Sequence, residues 1–291
     1  MRKTVLALVL LSGSLAALGA ANRHKETSYP FREKEEIRRT LKSADPSRPL
    51  TLIVDNVFGG IDVQAASGTD VELVALKTIR AKSQEKIARA KAEVDLKIDQ
   101  RGNDIDLYVD GPFRCQVQDC KGLRWRDWGY EVVYEFRLRV PRRTNLTLKT
   151  VNEGAVTARG IEGDFDVSNV NGPVTFEAVS GAGNADTVNG DVRIAFARNP
   201  AAPCSFETVN GDIRMSFAAN LGADFWLKTM HGEASSDFES VRLPAKPAQS
   251  EKLEGKTIYR RGGHTGIRIG RGGPEIRCET LNGDILIEKN K

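Results

Sequence analysis

Little in this sequence supplies catalytic chemistry. It has three histidines, His24, His231 and His264, and none has a metal-ligand or triad-forming neighbour. No Gly-x-Ser-x-Gly elbow occurs. Gly262-Gly263 and Gly272-Gly273 lack the lysine and the strand–helix setting of a phosphate-cradling loop. An excess of one charge is missing too: 43 basic side chains face 39 acidic ones, and setting aside Arg2 and Lys3 leaves 41. The charges are interspersed, which excludes the basic stripe of a nucleic-acid binder. These absences leave no residue assigned to catalysis, no metal and no cofactor.

Long apolar runs are confined to the start. Arg2 and Lys3 are followed by Thr4 to Leu18, apolar apart from small residues, then Gly19-Ala20-Ala21, with polar sequence from Asn22. That is the layout of a secretory signal peptide over residues 1–21, with a retained anchor as its alternative. The expected protein is exported, periplasmic or extracellular at the cell surface, with no stable membrane span after cleavage.

Cysteines number four. Cys115 and Cys120 lie in a segment rich in Arg and Trp, at a spacing that suits neither a zinc knuckle nor a haem site. In an exported chain they read as a local disulfide, a reactive pair being the other option. Cys204 and Cys278 stand at similar places in two repeats and are either buried thiols or a second bridge.

What the chain does have is a repeat. Val151-Asn152-Glu153-Gly154, Val170-Asn171-Gly172, Val188-Asn189-Gly190-Asp191, Val209-Asn210-Gly211-Asp212 and Leu281-Asn282-Gly283-Asp284 share one pattern, and Met230-His231-Gly232-Glu233 is a degenerate copy. Gly154, Gly163, Gly172, Gly181 and Gly190 are nine residues apart; the next two intervals, to Gly211 and Gly232, are 21. Asp191 to Phe196 and Asp212 to Phe217 alternate apolar and polar, the mark of a half-buried strand. The Asn-Gly pairs are expected to supply positive-φ corners, with Val in the core. Nine residues make one strand and one corner, so the expected fold is all-β: a β-solenoid of about nine residues per half-coil with an N-terminal β cap. A hairpin meander or β-sandwich is the alternative, since Asn-Gly also closes hairpins.

The expected organisation has four parts: the signal peptide at 1–21, a charged segment at 22–47, an N-terminal β region at 48–144 and the repeat solenoid at 145–291. Within the second, Glu33 to Leu41 reads as a short strand or helix. Within the third, Val57-Phe58-Gly59-Gly60-Ile61 resembles a repeat unit, and Ser83 to Glu93 suits one short helix.

The order of parts is similar to the bacterial putative-adhesin family of β-strand-repeat domains of unknown function. The resemblance rests on the signal peptide, on Val54 to Gly60, and on the strand Tyr134 to Val140 ending at Pro141. Thr144-Asn145-Leu146, the Val-Asn-Gly array and the ending Gly270 to Glu275 with Glu279 to Ile285 complete it. It covers roughly residues 50 to 289 and departs at the insertion from Cys115 to Trp128. It implies an adhesion-related, solenoid-like surface protein and carries no catalytic residue.

Three features have competing readings. Arg124, Trp125, Arg126, Trp128 and Tyr130 form a candidate interaction loop able to stack on sugars or anchor a protein, or else a cap that buries its tryptophans. Asp191, Asp212 and Asp284 form either a calcium ladder or corner acids that satisfy turn amides. Asn152, Asn171, Asn189, Asn210 and Asn282 form a column expected to be a structural hydrogen-bond ladder. The function expected is a non-enzymatic envelope or surface module, adhesin-like or structural, whose partner is an envelope or surface component, protein or glycan. The alternative is a polysaccharide-active β-helical enzyme that aligns Arg193, Arg214 and nearby acids on one face.

Overall fold

Alternation of period two buries one side of most strands in this computed structural model, which describes residues 29–114, 127–244, 249–253, 256–260 and 263–290. The leader read at 1–21 lies outside the described residues. The N-terminal part consists of β1 (Phe31–Leu41), β2 (Leu50–Asp55), β3 (Ile61–Ala66), β4 (Val71–Ala81), α1 (Gln84–Glu93), β5 (Asp95–Arg101), β6 (Asp104–Asp110) and β7 (Tyr130–Pro141). The array follows as β8 (Thr144–Lys149), β9 (Val156–Arg159), β10 (Phe165–Ser168), β11 (Val174–Val179), β12 (Gly183–Asp186), β13 (Val192–Phe196), β14 (Cys204–Glu207) and β15 (Ile213–Phe217). The chain ends with β16 (Ala223–His231), β17 (Ala234–Ser236), β18 (Ser240–Arg242), β19 (Gln249–Leu253), β20 (Lys256–Arg260), β21 (Thr265–Ile269), β22 (Glu275–Asn282) and β23 (Ile285–Lys289).

These strands form two large mixed sheets, neither of them closed, and a small hairpin of β19 and β20. The first sheet runs β1-β4-β7-β3-β9-β11-β13-β15-β23-β17, and the second runs β18-β21-β16-β22-β14-β12-β10-β8-β2-β6-β5. Through the array the chain alternates between sheets, so each strand from β8 to β13 pairs in parallel with the strand two further on. Strands β14 and β15 pair in parallel with β22 and β23. Val156, Val174, Val192, Ile213 and Ile285 are therefore register neighbours. No Asn-Gly pair of the array closes a two-residue hairpin between its flanking strands; those strands lie in opposite sheets.

One strand from each sheet and the corner between them make a rung. The corner units stack in the spatial order 56–59, 150–154, 169–172, 187–190, 208–211, 280–283 and 229–232. The last rung in sequence, β22 and β23, thus sits between β14/β15 and β16/β17.

The apolar faces of both sheets meet in one core. Phe165 of the second sheet lies 4.9 Å from Phe176 of the first, Phe196 packs on Phe206, and Phe217 meets Phe225 edge-on at 5.8 Å. Such pairs add about 0.5–1.5 kcal/mol each beyond the area they bury. Small residues make room for them: Ala158 is the register neighbour of Phe176, and Ala185 that of Phe206.

At the N-terminal end both sheets extend past the stack. Strands β4 and β7 pair antiparallel, and β1 pairs with β4 along its whole length. The segment at Glu33 to Leu41 is therefore strand. Helix α1 starts at Ser83, whose hydroxyl accepts a bond from the Lys86 amide at 3.3 Å, and buries Ile87 and Ala90. None of the described helices is long and apolar enough to cross a membrane.

Candidate interaction surface

The corner is a four-residue unit, one residue longer than the Val-Asn-Gly signal, except after Thr150, where Glu153 is inserted before the glycine. Its first residue, Thr150, Asn169, Thr187, Thr208 or Thr280, is buried. Each donates a side-chain hydrogen bond of 2.9–3.1 Å to a glycine carbonyl of the preceding rung: Thr150 to Gly59, Asn169 to Gly154, Thr187 to Gly172, Thr208 to Gly190, Thr280 to Gly211. Thr229 does the same for Gly283 at 2.9 Å. Asn56 heads the column, donating to the carbonyls of Gly59 and Tyr134.

The aliphatic residue that follows points the other way. Val57, Val170, Val188 and Val209 are half-buried, while Val151, Leu281 and Met230 are exposed, Met230 at 64%. The expectation that these residues build the core is corrected: the polar Thr or Asn before them faces inward. The chain turns at the corner, and one residue's change of direction reverses the side-chain parity.

The third residue is the asparagine. Asn171 donates its amide to the Asn152 Oδ1 at 2.8 Å, Asn189 to Asn171 at 2.9 Å, Asn210 to Asn189 at 2.8 Å and Asn282 to Asn210 at 2.7 Å. The bonds all run in one direction, and the ladder lies on the outer surface. His231, the register partner of Asn282, continues the column.

Glycine comes fourth, for a reason different from the one expected. Among the glycines of the stacked corners Gly59, Gly172 and Gly283 have positive φ, at 106°, 158° and 151°, Glu153 is positive as well at 58°, and no asparagine is. What requires glycine is stacking: a Cβ on Gly190 would fall 2.4 Å from the Gly172 carbonyl oxygen, and one on Gly211 2.1 Å from that of Gly190. Backbone meets backbone there, leaving no room for a side chain.

The acids after the glycine cap the next rung. Asp191 accepts the amide of Asp212 at 3.0 Å, Asp212 that of Asp284 at 2.9 Å, and Asp284 that of Glu233 at 2.8 Å. Each carboxylate thus has a backbone donor, as a corner acid needs. Among the described residues no group of three or more His, Cys, Asp or Glu is placed to hold a metal ion.

Other candidates are scattered. Cys115, Cys120, Arg124, Trp125 and Arg126 lie outside the described residues. Trp128 packs half-buried against the core beneath the Arg89 guanidinium, 6.0 Å from its ring. Tyr130 begins β7, is buried, and donates its hydroxyl to Glu93. Burial first, then that bond, raises the Tyr130 pKa, while the Tyr130 and Arg89 bonds lower that of Glu93. Cys204 and Cys278 are free thiols buried on adjacent strands two register positions apart, and Cys278 touches the Met215 sulfur at 3.5 Å. Burial pushes the Cys204 thiol up to about 11 and raises that of Cys278 as well.

Arg193 and Arg214 are register partners on the exposed side of β13 and β15. Arg193 pairs with Asp191 at 2.6 Å. His264 lies 3.5 Å from Glu279, whose carboxylate also takes Lys228 and Arg277. Burial, then Arg277, lowers the His264 pKa.

All the rungs but the one formed by β22 and β23 fall within one family match. Residues 51–269 match the family described as Toastrack DUF4097. The chain belongs to the Toastrack DUF4097 family. No curated protein matches the sequence. Solved structures similar to this Toastrack chain include a putative cell adhesion protein from Clostridium sporogenes, 12% identical, covering 89% of this chain and 100% of that one at a TM-score of 0.40. A putative adhesin from Bacteroides fragilis is 11% identical, covers 88% and 97%, and has a TM-score of 0.30. A putative lipid binding protein from Parabacteroides distasonis is 12% identical, covers 89% and 97%, and has a TM-score of 0.25.

The inward Thr or Asn column was within reach of sequence reading. Thr or Asn precedes the aliphatic residue in Thr150-Val151, Asn169-Val170, Thr187-Val188, Thr208-Val209, Thr280-Leu281 and Thr229-Met230.

Proposed function

We propose that this chain is an exported, non-enzymatic envelope or surface protein: a β-solenoid with an N-terminal β cap, working as an adhesin-like interaction or structural module. In this reading residues 1–21 are a cleaved signal peptide, 22–47 a charged segment, 48–144 the N-terminal β region and 145–291 the solenoid. The observation that carries it is the outer corner, where an outward-facing aliphatic side chain, half-buried or exposed, recurs on each rung and five successive rungs add a bonded asparagine amide. Sheet strands stack at about 4.7–4.9 Å, so the corner offers an apolar stripe beside an amide stripe, both held rigid by the rungs beneath. A surface of this kind recognises an extended envelope component, protein or glycan, by shape and repetition rather than by chemical conversion.

The segment from Cys115 to Trp128 is the second proposed contact, with a Cys115–Cys120 bridge holding Arg124, Trp125 and Arg126 for a partner. Cosedimentation of the purified protein with envelope fractions tests both. Val188→Lys combined with Val209→Lys is expected to abolish binding at an unchanged melting temperature if the corner is the contact. Trp125→Ala with Trp128→Ala is expected to weaken binding if the segment contributes. Full binding by both variants rejects both surfaces. Shortening of an acidic polysaccharide by the wild-type protein would instead support the enzymatic alternative.

A further inference from the structure

Strand β1 is the outermost strand of the first sheet. Its eleven residues pair with β4 from Phe31↔Ala81 to Leu41↔Val71 without a bulge. The opposite edge of β1 has no neighbouring strand among the described residues. Soluble proteins protect such edges by keeping them short, by bulges, by proline, or by charge of one sign that repels a second copy. This edge is long and regular and has no proline within it. Its charges are of both signs: Arg32, Glu33 and Lys34 alternate at its start, and next to Ile37 they are ordered, with Glu35 and Glu36 before it and Arg38 and Arg39 after it.

That order is complementary to itself when reversed. We infer that β1 is a self-association strand, pairing antiparallel with β1 of a second copy about a two-fold axis at Ile37. In this register Ile37 faces Ile37 of the other copy. Glu36 faces Arg38 and Glu35 faces Arg39, each twice, and no like charges are opposed between residues 33 and 41 of the two strands. Registers shifted towards the N-terminus are worse, since a shift of one residue sets Lys34 against Arg39 and a shift of two sets Lys34 against Arg38. A shift of one in either direction also sets inner-face residues opposite outer-face ones. Opposite charges placed directly across a strand pair stabilise it, and like charges destabilise it.

The faces agree as well. Ile37 and Leu41 are partly buried against the core on the inner side of the sheet. A two-fold axis perpendicular to the sheet keeps those sides together, so the two ten-stranded sheets become continuous. Arg38 now pairs with Glu36 of its own strand, and Glu33 with Lys91. Among the described residues neither Glu35 nor Arg39 belongs to an ion pair, so the inner-face Glu35–Arg39 pairs are free to form.

One strand per copy is a small interface, of the weak class, so association is read at high protein concentration. Sedimentation of the full chain is expected to show a monomer–dimer equilibrium that weakens with added salt. Glu35→Arg with Glu36→Arg makes the strand wholly basic around Ile37, and Arg38→Glu with Arg39→Glu makes it wholly acidic. Each variant alone is expected to be monomeric, and an equimolar mixture is expected to form a one-to-one heterodimer. Ile37→Cys provides a second readout in folded protein: mild oxidation is expected to trap a covalent dimer, whereas Thr40→Cys, which faces Lys34, is expected to trap none. A wild-type protein that stays monomeric throughout overturns the inference. So does a dimer that both charge variants retain, which would place the interface elsewhere.

Discussion

A carbonyl oxygen 2.1 Å from a Cβ built on Gly211 leaves no room for alanine, because the obstacle is the backbone of Gly190 and not a side chain that can swing aside. Gly211→Ala is expected to cost about 3 kcal/mol, the upper end for overpacking. Gly68→Ala, with nothing within 4 Å, is expected to stay within about 0.5 kcal/mol of wild type. Denaturant midpoints of the two variants check the contrast. The neighbouring positions allow a sharper comparison. Thr208→Val removes the hydroxyl that satisfies the Gly190 carbonyl and is expected to cost about 1–2 kcal/mol. Val209→Thr, one residue on and facing out, is expected to be nearly neutral. The reverse order of these two costs would place valine inside. At this scale the repeat was legible, and so was the Thr or Asn before each aliphatic residue, but not which of the two faces inward. Period-two parity holds along Val192 to Phe196, yet it cannot be carried across Thr208 to Gly211, where the chain changes sheets.

Single elements were legible in proportion to how much of their own burial they control. Helix α1 has its cap at Ser83 and two buried apolar residues, and both were visible in the sequence. Strand β1 was ambiguous because only its pairing with β4 makes it a strand; most of its side chains are exposed. Strand β4 hides a further exception. Lys77 sits at an inward position of its alternation, buried, with Nζ donating to the Val94 carbonyl at 2.7 Å and lying 5.7 Å from the centre of the Tyr134 ring. Burial lowers the Lys77 pKa from 10.5; Glu35, Asp95 and Glu33 pull it back up, and Lys91 lowers it further. Between the lowered value and 10.5 the unfolded chain holds the proton that the folded chain has lost, so this lysine makes stability rise with pH across that window. Lys77→Met is expected to remove that rise. Subtracting the variant's stability-versus-pH curve from the wild-type curve tests the effect, since other titrating groups are common to both proteins. A flat difference across the window would sink it.

On the scale of the whole molecule, spatial order and chain order part company. A nine-residue interval fixes how one rung follows another, but nothing local says that residues 275–289 slot between β14/β15 and β16/β17. The degenerate copy at Met230 to Glu233 becomes intelligible once it is seen as the final rung, where no further rung selects for an amide ladder; terminal repeats are commonly atypical. This threading has a mechanical consequence. Thr208 and Ile213 donate their amides to Glu279 and Asp284, and Gly283 and Ile285 donate theirs to His231 and Glu233. The C-terminal rung therefore joins the array to β16 and β17, and in a stack held by nearest-neighbour contacts its loss cannot be bridged from elsewhere. A chain ending at Pro274 is expected to lose hydrogen-exchange protection in β16 and β17 and in the exposed last rung of β14 and β15. Protection in β2, β3 and β8 to β11 should remain close to that of the full chain. Native protection of β16 in the shortened chain would mean that it docks on β14 directly, and the linking role of the last rung would fall.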